Sequence, residues 1–328
     1  MPIYEHTATF PFSRETVWNW HARPGAVRRI MPDWEGIRPV EVGGIKDGAV
    51  TSFRMSIGIV PQKWVAKHHS YIEGEQFCDN MVKGPFGRWN HTHKFIEGGD
   101  TEMQIEDRID WKLPFHFFTR IGAPVMVMPR VRQMFKHRSR RILADLNRQQ
   151  MFKEAPRKRI LISGSTGLIG TQLGAFLETD GHDVHRLIRP TTRLHADQDP
   201  TKVVKWDDRT GELLEGSFEN FDVIIHLAGA GIGDKRWSKK RKKLIAESRE
   251  IPTRHLANTL ASLEHPPSLF MCSSAVGFYD NRGDEELDEN SSIGDGFLAT
   301  ICKKWEDATQ PATDAGIRTI RMRTGIVT

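Results

Sequence analysis

Twelve residues carry the plainest chemical signal in this chain. Arg159 to Gly170 reads RILISGSTGLIG, an apolar run that turns through three glycines into a second apolar segment. At such a turn, backbone N–H groups gather at the positive end of the following helix, and glycine leaves room for a pyrophosphate where a side chain would block it. Gly164 suits the tight turn, Gly167 the close approach and Gly170 the packing of helix on strand. A glycine triplet alone is weak evidence. Here it follows a strand pattern, opens a helix pattern and sits in a βαβ unit of about 30 residues, which is the context a dinucleotide site requires. At the end of the next strand, an Asp or Glu would take the ribose 2′-hydroxyl of NAD. This chain has Leu187, Ile188 and Arg189 there, with Arg193 close behind, and a cation suits the 2′-phosphate of NADP(H).

The elements that must hold these groups fall into two series. Downstream of Arg159, strands at Arg159 to Ser163, Asp183 to Ile188, Asp222 to Leu227, Ser268 to Cys272 and Arg318 to Met322 alternate with helices, which predicts an α/β doubly wound parallel sheet. Upstream, Tyr4 to Phe10, Ala49 to Ile57, Gln62 to Tyr71, Gln76 to Lys83, Gly87 to Phe95 and Thr101 to Leu113 read as strands between Gly, Pro and Asp turns. A short helix from about Ser13 to Trp20 interrupts them, with Ser13 as N-cap and Thr16 where a capping box wants Glu or Gln. Val131, Met134, Phe135, Ile142, Leu143 and Leu146 then recur at helical spacing, predicting an amphipathic helix of about 20 residues. Strands followed by one long helix make an α+β layer pair. The boundary falls at Met151 to Lys158, so residues 1–150 form the first domain, 151–158 a linker and 159–328 the nucleotide-binding domain.

Composition narrows the function classes. The 328 residues carry a net charge of +5, of which Lys112 to Arg159 alone supplies +11. That balance is too mild to mark a nucleic-acid protein, and the basic runs at Lys235 to Lys243 and Arg130 to Arg148 read as solvated helix faces. Cys78, Cys272 and Cys302 are too few and too scattered for a disulfide framework, which implies a reducing, cytoplasmic setting. No apolar run approaches the ~20 residues of a membrane span. Pro252 falls within a helical pattern, where it predicts a kink or a break.

Five blocks, SGSTGLIG, HLAGAGIGDKRWS, SSAVGFYDNRGDE, GDGFLATICKKWE and RMRTGIVT, occur in order between about Arg157 and Thr328. Together they resemble the NAD-dependent epimerase family of the extended short-chain dehydrogenase/reductase superfamily, in its atypical branch of epimerase family proteins. The first 150 residues resemble, more loosely, the SRPBCC (START-like, helix-grip) superfamily through GPFGRWNHTHKF and the final helix. The resemblance implies a helix-grip domain holding a hydrophobic ligand, followed by a Rossmann domain that binds NADP(H). It further implies a chain that lacks the C-terminal substrate lobe, because RMRTGIVT opens the segment leading into that lobe in the family. The expected cofactor site comprises Gly164, Ser165, Thr166, Gly167, Leu168, Ile169, Gly170, Arg189, Leu227, Ala228 and Gly229.

The superfamily's Tyr and Lys stand four residues apart on a helix, the tyrosine moving a proton while hydride is transferred. Alignment on Glu306 puts Leu298 and Cys302 at those positions, and none of the three tyrosines, Tyr4, Tyr71 and Tyr279, begins a YxxxK. Ser274 keeps the serine position and is expected to hydrogen-bond a substrate oxygen. Tyr279, five residues on, is either a substitute acid or an aromatic lining the pocket. Three functions therefore stand: an oxidoreductase or epimerase acting on an unknown small molecule, a non-enzymatic NADP(H) sensor, and a carrier of a hydrophobic ligand. His91 and His93 share one strand face, but a metal would need a third ligand for which Asp79 and His116 are guesses. Buried histidines are the better reading, with no metal expected, and Trp89, Phe95, Trp64 and Phe53 line either a cavity or an ordinary core.

Overall fold

The computed structural model describes residues 3–57, 60–99, 101–113 and 123–327. Spatial proximity divides the chain into two compact units. The first is Met1–Ala155 with the short segments Ala175–Gly181 and His195–Gln198, and the second is Pro156–Gly174, His182–Leu194 and Asp199–Thr328.

In the first unit, β1 (Ile3–Phe10), α1 (Arg14–Ala22) and α2 (Ala26–Ile30) precede β2 (Arg38–Val42), β3 (Val50–Ile57), β4 (Val60–Ile72), β5 (Gln76–Lys83), β6 (Arg88–Gly99) and β7 (Glu102–Lys112). The strands form one antiparallel sheet in the order β1-β7-β6-β5-β4-β3-β2. Ser13 caps α1, its Oγ accepting the Thr16 N–H at 3.3 Å, and Thr16 answers with its hydroxyl rather than with the carboxylate of a full capping box. Strand β2 escapes a sequence reading because Pro39 removes a ladder donor. It is tolerated here because β2 is an edge strand with a bulge beside that proline.

The long helix, α3 (Ala123–Gln150), runs 28 residues and starts eight before the first of its periodic apolar positions. Val131 and Phe135 pack with Ile109 and Trp111, and Ile142 and Leu146 join Phe10, Phe77, Phe95 and Ile105. Its basic residues are not all solvated as expected. Arg138 is buried and bonded to Asp107, while Asp145 of the same helix receives a bidentate Arg29 at 2.8 and 2.5 Å. A charge placed on the sheet-facing side can stay ionised only if an opposite charge meets it there.

The second unit contains β8 (Arg159–Ser163), α4 (Leu168–Thr179) as far as Gly174, β9 (Asp183–Ile188), β10 (Val203–Trp206), β11 (Leu213–Glu215), β12 (Val223–His226), α5 (Lys239–Ala261), β13 (Leu269–Ala275), α6 (Phe297–Asp307), α7 (Gln310–Asp314) and β14 (Arg318–Thr324). The sheet order is β11-β10-β9-β8-β12-β13-β14, parallel except for β11. Without β11 this is the 3-2-1-4-5-6 order of a Rossmann-like sheet, in which the strand order reverses between β8 and β12. Leu161, Ile224 and Phe270, fully buried, join Leu256, Leu260 and Trp305 in the core. The short β10 and β11 have too few residues to show a period. Pro252 does not break α5, which continues to Ala261, because Arg249, Thr253, Leu256 and Leu260 are buried on both sides of it and hold the helix across one missing N–H.

Two substitutions separate core from edge. Phe270→Ala, at a side chain with no exposure, is expected to cost about 3–5 kcal/mol. Leu213→Ala, on the exposed edge strand, should stay within about 0.5 kcal/mol. Urea unfolding followed by fluorescence measures both.

Candidate functional site

Strand β8 ends in the glycine turn, and each glycine sits where a β-carbon has no room or no purpose. Gly164 has φ +68°, and a β-carbon there would lie 2.8 Å from the carbonyl carbon of Leu227 and 2.9 Å from Ala228 N. At Gly170 it would fall 2.3 Å from the Gly164 carbonyl oxygen, so this glycine sets how closely α4 meets the turn. Gly167 donates its N–H to that same oxygen at 3.0 Å and is itself exposed, as are Leu168 and Ile169 at the start of α4. The first N–H groups of a helix have no partner within it, so this end of α4 offers donors and a positive dipole to an anion. Ser165 is buried in the turn, and Thr171 Oγ1 donates to its carbonyl at 3.3 Å. Leu227, Ala228 and Gly229 follow β12 directly, beside Gly164 at the reversal of strand order. Arg189 stands just after β9, exposed, with Asp208 at 3.9 Å.

The residues expected at the chemical step form a second group. Ser274 lies on β13, 2% exposed, and its Oγ donates to Glu306 Oε1 of α6 at 2.6 Å. Glu306 also receives both forks of Arg323 from β14, each at 2.9 Å. Arg323 then donates to Tyr279 Oη at 2.9 Å and lies 3.5 Å from the Phe278 ring centroid. The Glu306 carboxylate outweighs desolvation and holds the guanidinium above the ordinary arginine range. Ser274 and Tyr279 are thus brought into one network, but by two residues the sequence reading did not select. In this network the hydroxyl of Ser274 donates to Glu306. The available signal for Arg323 was its alternation with Arg321 on a short strand, where two cations on one face need an acceptor.

A pocket of about 660 Å³ opens beside this network, lined by Val276, Tyr279, Leu287, Glu306, Met322 and Arg323 among others. Leu298 and Cys302, at the expected Tyr and Lys positions, instead pack toward Gly277, where a β-carbon would meet Leu298 Cβ at 3.2 Å and Cys302 Sγ at 3.9 Å. Burial pushes the Cys302 thiol up, so it offers neither cation nor ready nucleophile.

Below the turn, Ser163 and His226 close β8 and β12 in register, fully buried and hydrogen-bonded at 2.6 Å. Burial pushes His226 down to about 4. Its folded value lies below its unfolded one, so its neutral form contributes fully above pH 6.5, and that contribution is lost as pH falls toward 4. The loss amounts to about 3 kcal/mol across the window. Urea unfolding between pH 7 and 4 should show this slope, and His226→Gln should flatten it.

Residues 160–296 match the model of the NAD dependent epimerase/dehydratase family. An epimerase family protein of Mycobacterium leprae is 38% identical over 175 residues, 53% of this chain and 54% of that protein. The solved nucleoside-diphosphate sugar epimerase of Corynebacterium glutamicum is 33% identical with a TM-score of 0.79, over 98% of this chain and 66% of that one. The human epimerase family protein SDR39U1, solved with NADPH, is 28% identical with a TM-score of 0.44, over 52% of this chain and 54% of that one. The chain spans about half the length of the curated relatives it matches. A Rossmann-like sheet, a glycine turn at its strand-order reversal and this family match fall in the same residues, so the second unit is similar to an epimerase-family domain.

Proposed function

We propose that this chain binds NADP(H) in its second unit and carries out oxidoreductase or epimerase chemistry on a small carbonyl or alcohol. The observation that carries the reading is the glycine turn, whose backbone approach to Leu227 and Ala228 would be closed by a single methyl group. Gly164, Ser165, Thr166, Gly167, Leu168, Ile169 and Gly170 would hold the pyrophosphate, Leu227 to Gly229 would border it, and Arg189 would meet a 2′-phosphate. When bound, the nicotinamide supplies or accepts a hydride.

The chain's own residues then manage the proton. Tyr279 receives a hydrogen bond from Arg323 on its oxygen, keeps its own proton to give, and lines the pocket. It donates to a carbonyl oxygen or takes a proton from an alcohol. Glu306 grips Arg323 with both oxygens and anchors Ser274, so Ser274, Glu306 and Arg323 are positioning residues for Tyr279. The first unit, with its sheet laid on a long helix, is in this reading the SRPBCC/START-like part of the chain.

NADPH titrated into the full chain should give a saturable fluorescence change, with NADH weaker by about ten- to hundredfold, the worth of one charge-assisted contact. Arg189→Ala should erase that difference. Tighter NADH binding, or no saturation, overturns the cofactor assignment. Tyr279→Phe should leave NADPH affinity unchanged while lowering carbonyl reduction by about 10²–10⁴-fold.

A further inference from the structure

We propose that the first unit holds a divalent transition-metal ion between Asp79, His91 and His93, supported by Asp107 and Arg138. The argument begins with strand register. Asp79 of β5 stands directly opposite His91 of β6, and Asp107 of β7 directly opposite His93. His91 and His93 are two residues apart, so all four side chains share one face of the sheet, and Arg138 reaches the same cluster from α3. His91, His93 and Asp107 are 9%, 5% and 3% exposed.

The hydrogen bonds sort the ring nitrogens into two sets. His93 Nδ1 lies 2.6 Å and His91 Nε2 3.2 Å from Asp107 Oδ1, so this carboxylate can accept from both rings, with Arg138 Nη2 3.3 Å from the same His93 Nδ1. Each then turns its other nitrogen toward Asp79, His93 Nε2 at 3.4 Å and His91 Nδ1 at 3.5 Å from Oδ2. A tetrahedral zinc ion with bonds of about 2.0–2.1 Å holds its ligand atoms roughly 3.3–3.4 Å apart. The two spacings match that edge length, and the three ligand atoms all lie within 4.8 Å of one another. A carboxylate that takes the far N–H of a ligating histidine fixes its tautomer and strengthens it as a ligand. Asp107 is placed to do this for both rings, and Arg138, 3.2 Å from Asp107 Oδ1, pairs with that carboxylate.

Charge points the same way. In the neutral form in which imidazoles ligate metals, the two rings leave two carboxylates against one guanidinium, a surplus that a divalent ion would balance. The Asp79 side chain, 14% exposed, is the most open of the three and marks the side from which an ion would enter. The nitrogen and carboxylate set suits zinc or another first-row divalent ion over magnesium or calcium. Among the described residues no second trio of this kind occurs.

The test uses the full chain stripped with EDTA and titrated with zinc chloride by calorimetry and with cobalt chloride by visible absorption. One equivalent should bind with micromolar or better affinity, cobalt should show d–d bands of nitrogen and oxygen ligation, and the midpoint of thermal unfolding should rise with zinc. Asp79→Asn should weaken binding at least a hundredfold, and Asp107→Asn by about 10–100-fold. His91→Gln serves as the second ligand variant if circular dichroism shows Asp79→Asn to be unfolded. No binding below 100 µM, or a stoichiometry that survives Asp79→Asn or His91→Gln, overturns the proposal. The first result would mean that a proton shared with Asp79 balances the cluster, the second that zinc sits on surface histidines.

Discussion

Gly164 has no β-carbon, and the second unit's site follows from that missing atom. At this position the turn leaving β8 touches the backbone leaving β12, with less than 3 Å between a notional methyl and Leu227. Two parallel strands can discharge their loops this close together only where the order of the sheet reverses, which is where such sheets open a crevice. Gly170 repeats the constraint one turn later by letting α4 sit against the same carbonyl. The donors of that helix end are therefore fixed by backbone packing and not by any side chain. This rigidity is what a pyrophosphate site needs, since loose donors would have to be ordered at each binding event.

The network around Tyr279 uses a different kind of rigidity. Helix α6 packs Leu298 and Cys302 toward Gly277, and its Glu306 joins Ser274 of β13 and Arg323 of β14 in a polar network. The Glu306–Arg323 pair is mostly buried and bidentate, a geometry that offsets much of its desolvation and leaves little freedom to Tyr279. Phe278 covers the guanidinium face, and the Arg323 Nη1 donors reach the Tyr279 phenol and the Glu289 carbonyl oxygen.

The first unit shows that a basic helix need not be a solvated one. Its stripe of Val131, Phe135, Ile142 and Leu146 builds the core, but Arg138 and Asp145 are buried with them and answered by Asp107 and Arg29. Each pair ties a helix to its neighbour at one rotational setting, because slipping the helix by one residue would leave two charges buried alone.

The sequence by itself carried most of the element boundaries: β5, β8 and β9 begin and end where the residue pattern between their flanking turns predicts, and the α4 turn was legible because glycine spacing reports backbone sterics directly. Short edge strands β2, β10 and β11 were not, since a few residues show no period and Pro39 argues against a strand wherever pairing is needed on both sides. The absence of a Tyr-Lys pair was also decided by sequence, because a missing residue type needs no coordinates. Which residues meet around Tyr279 was decided only by tertiary structure. Ser274, Glu306 and Arg323 lie 17 to 49 residues apart and meet through strand order and helix packing, as Asp79, His91, His93 and Asp107 meet through cross-strand register. Local pattern encodes which face a residue takes. It does not encode which distant residue will stand opposite, because that depends on burying every charge with a partner at once.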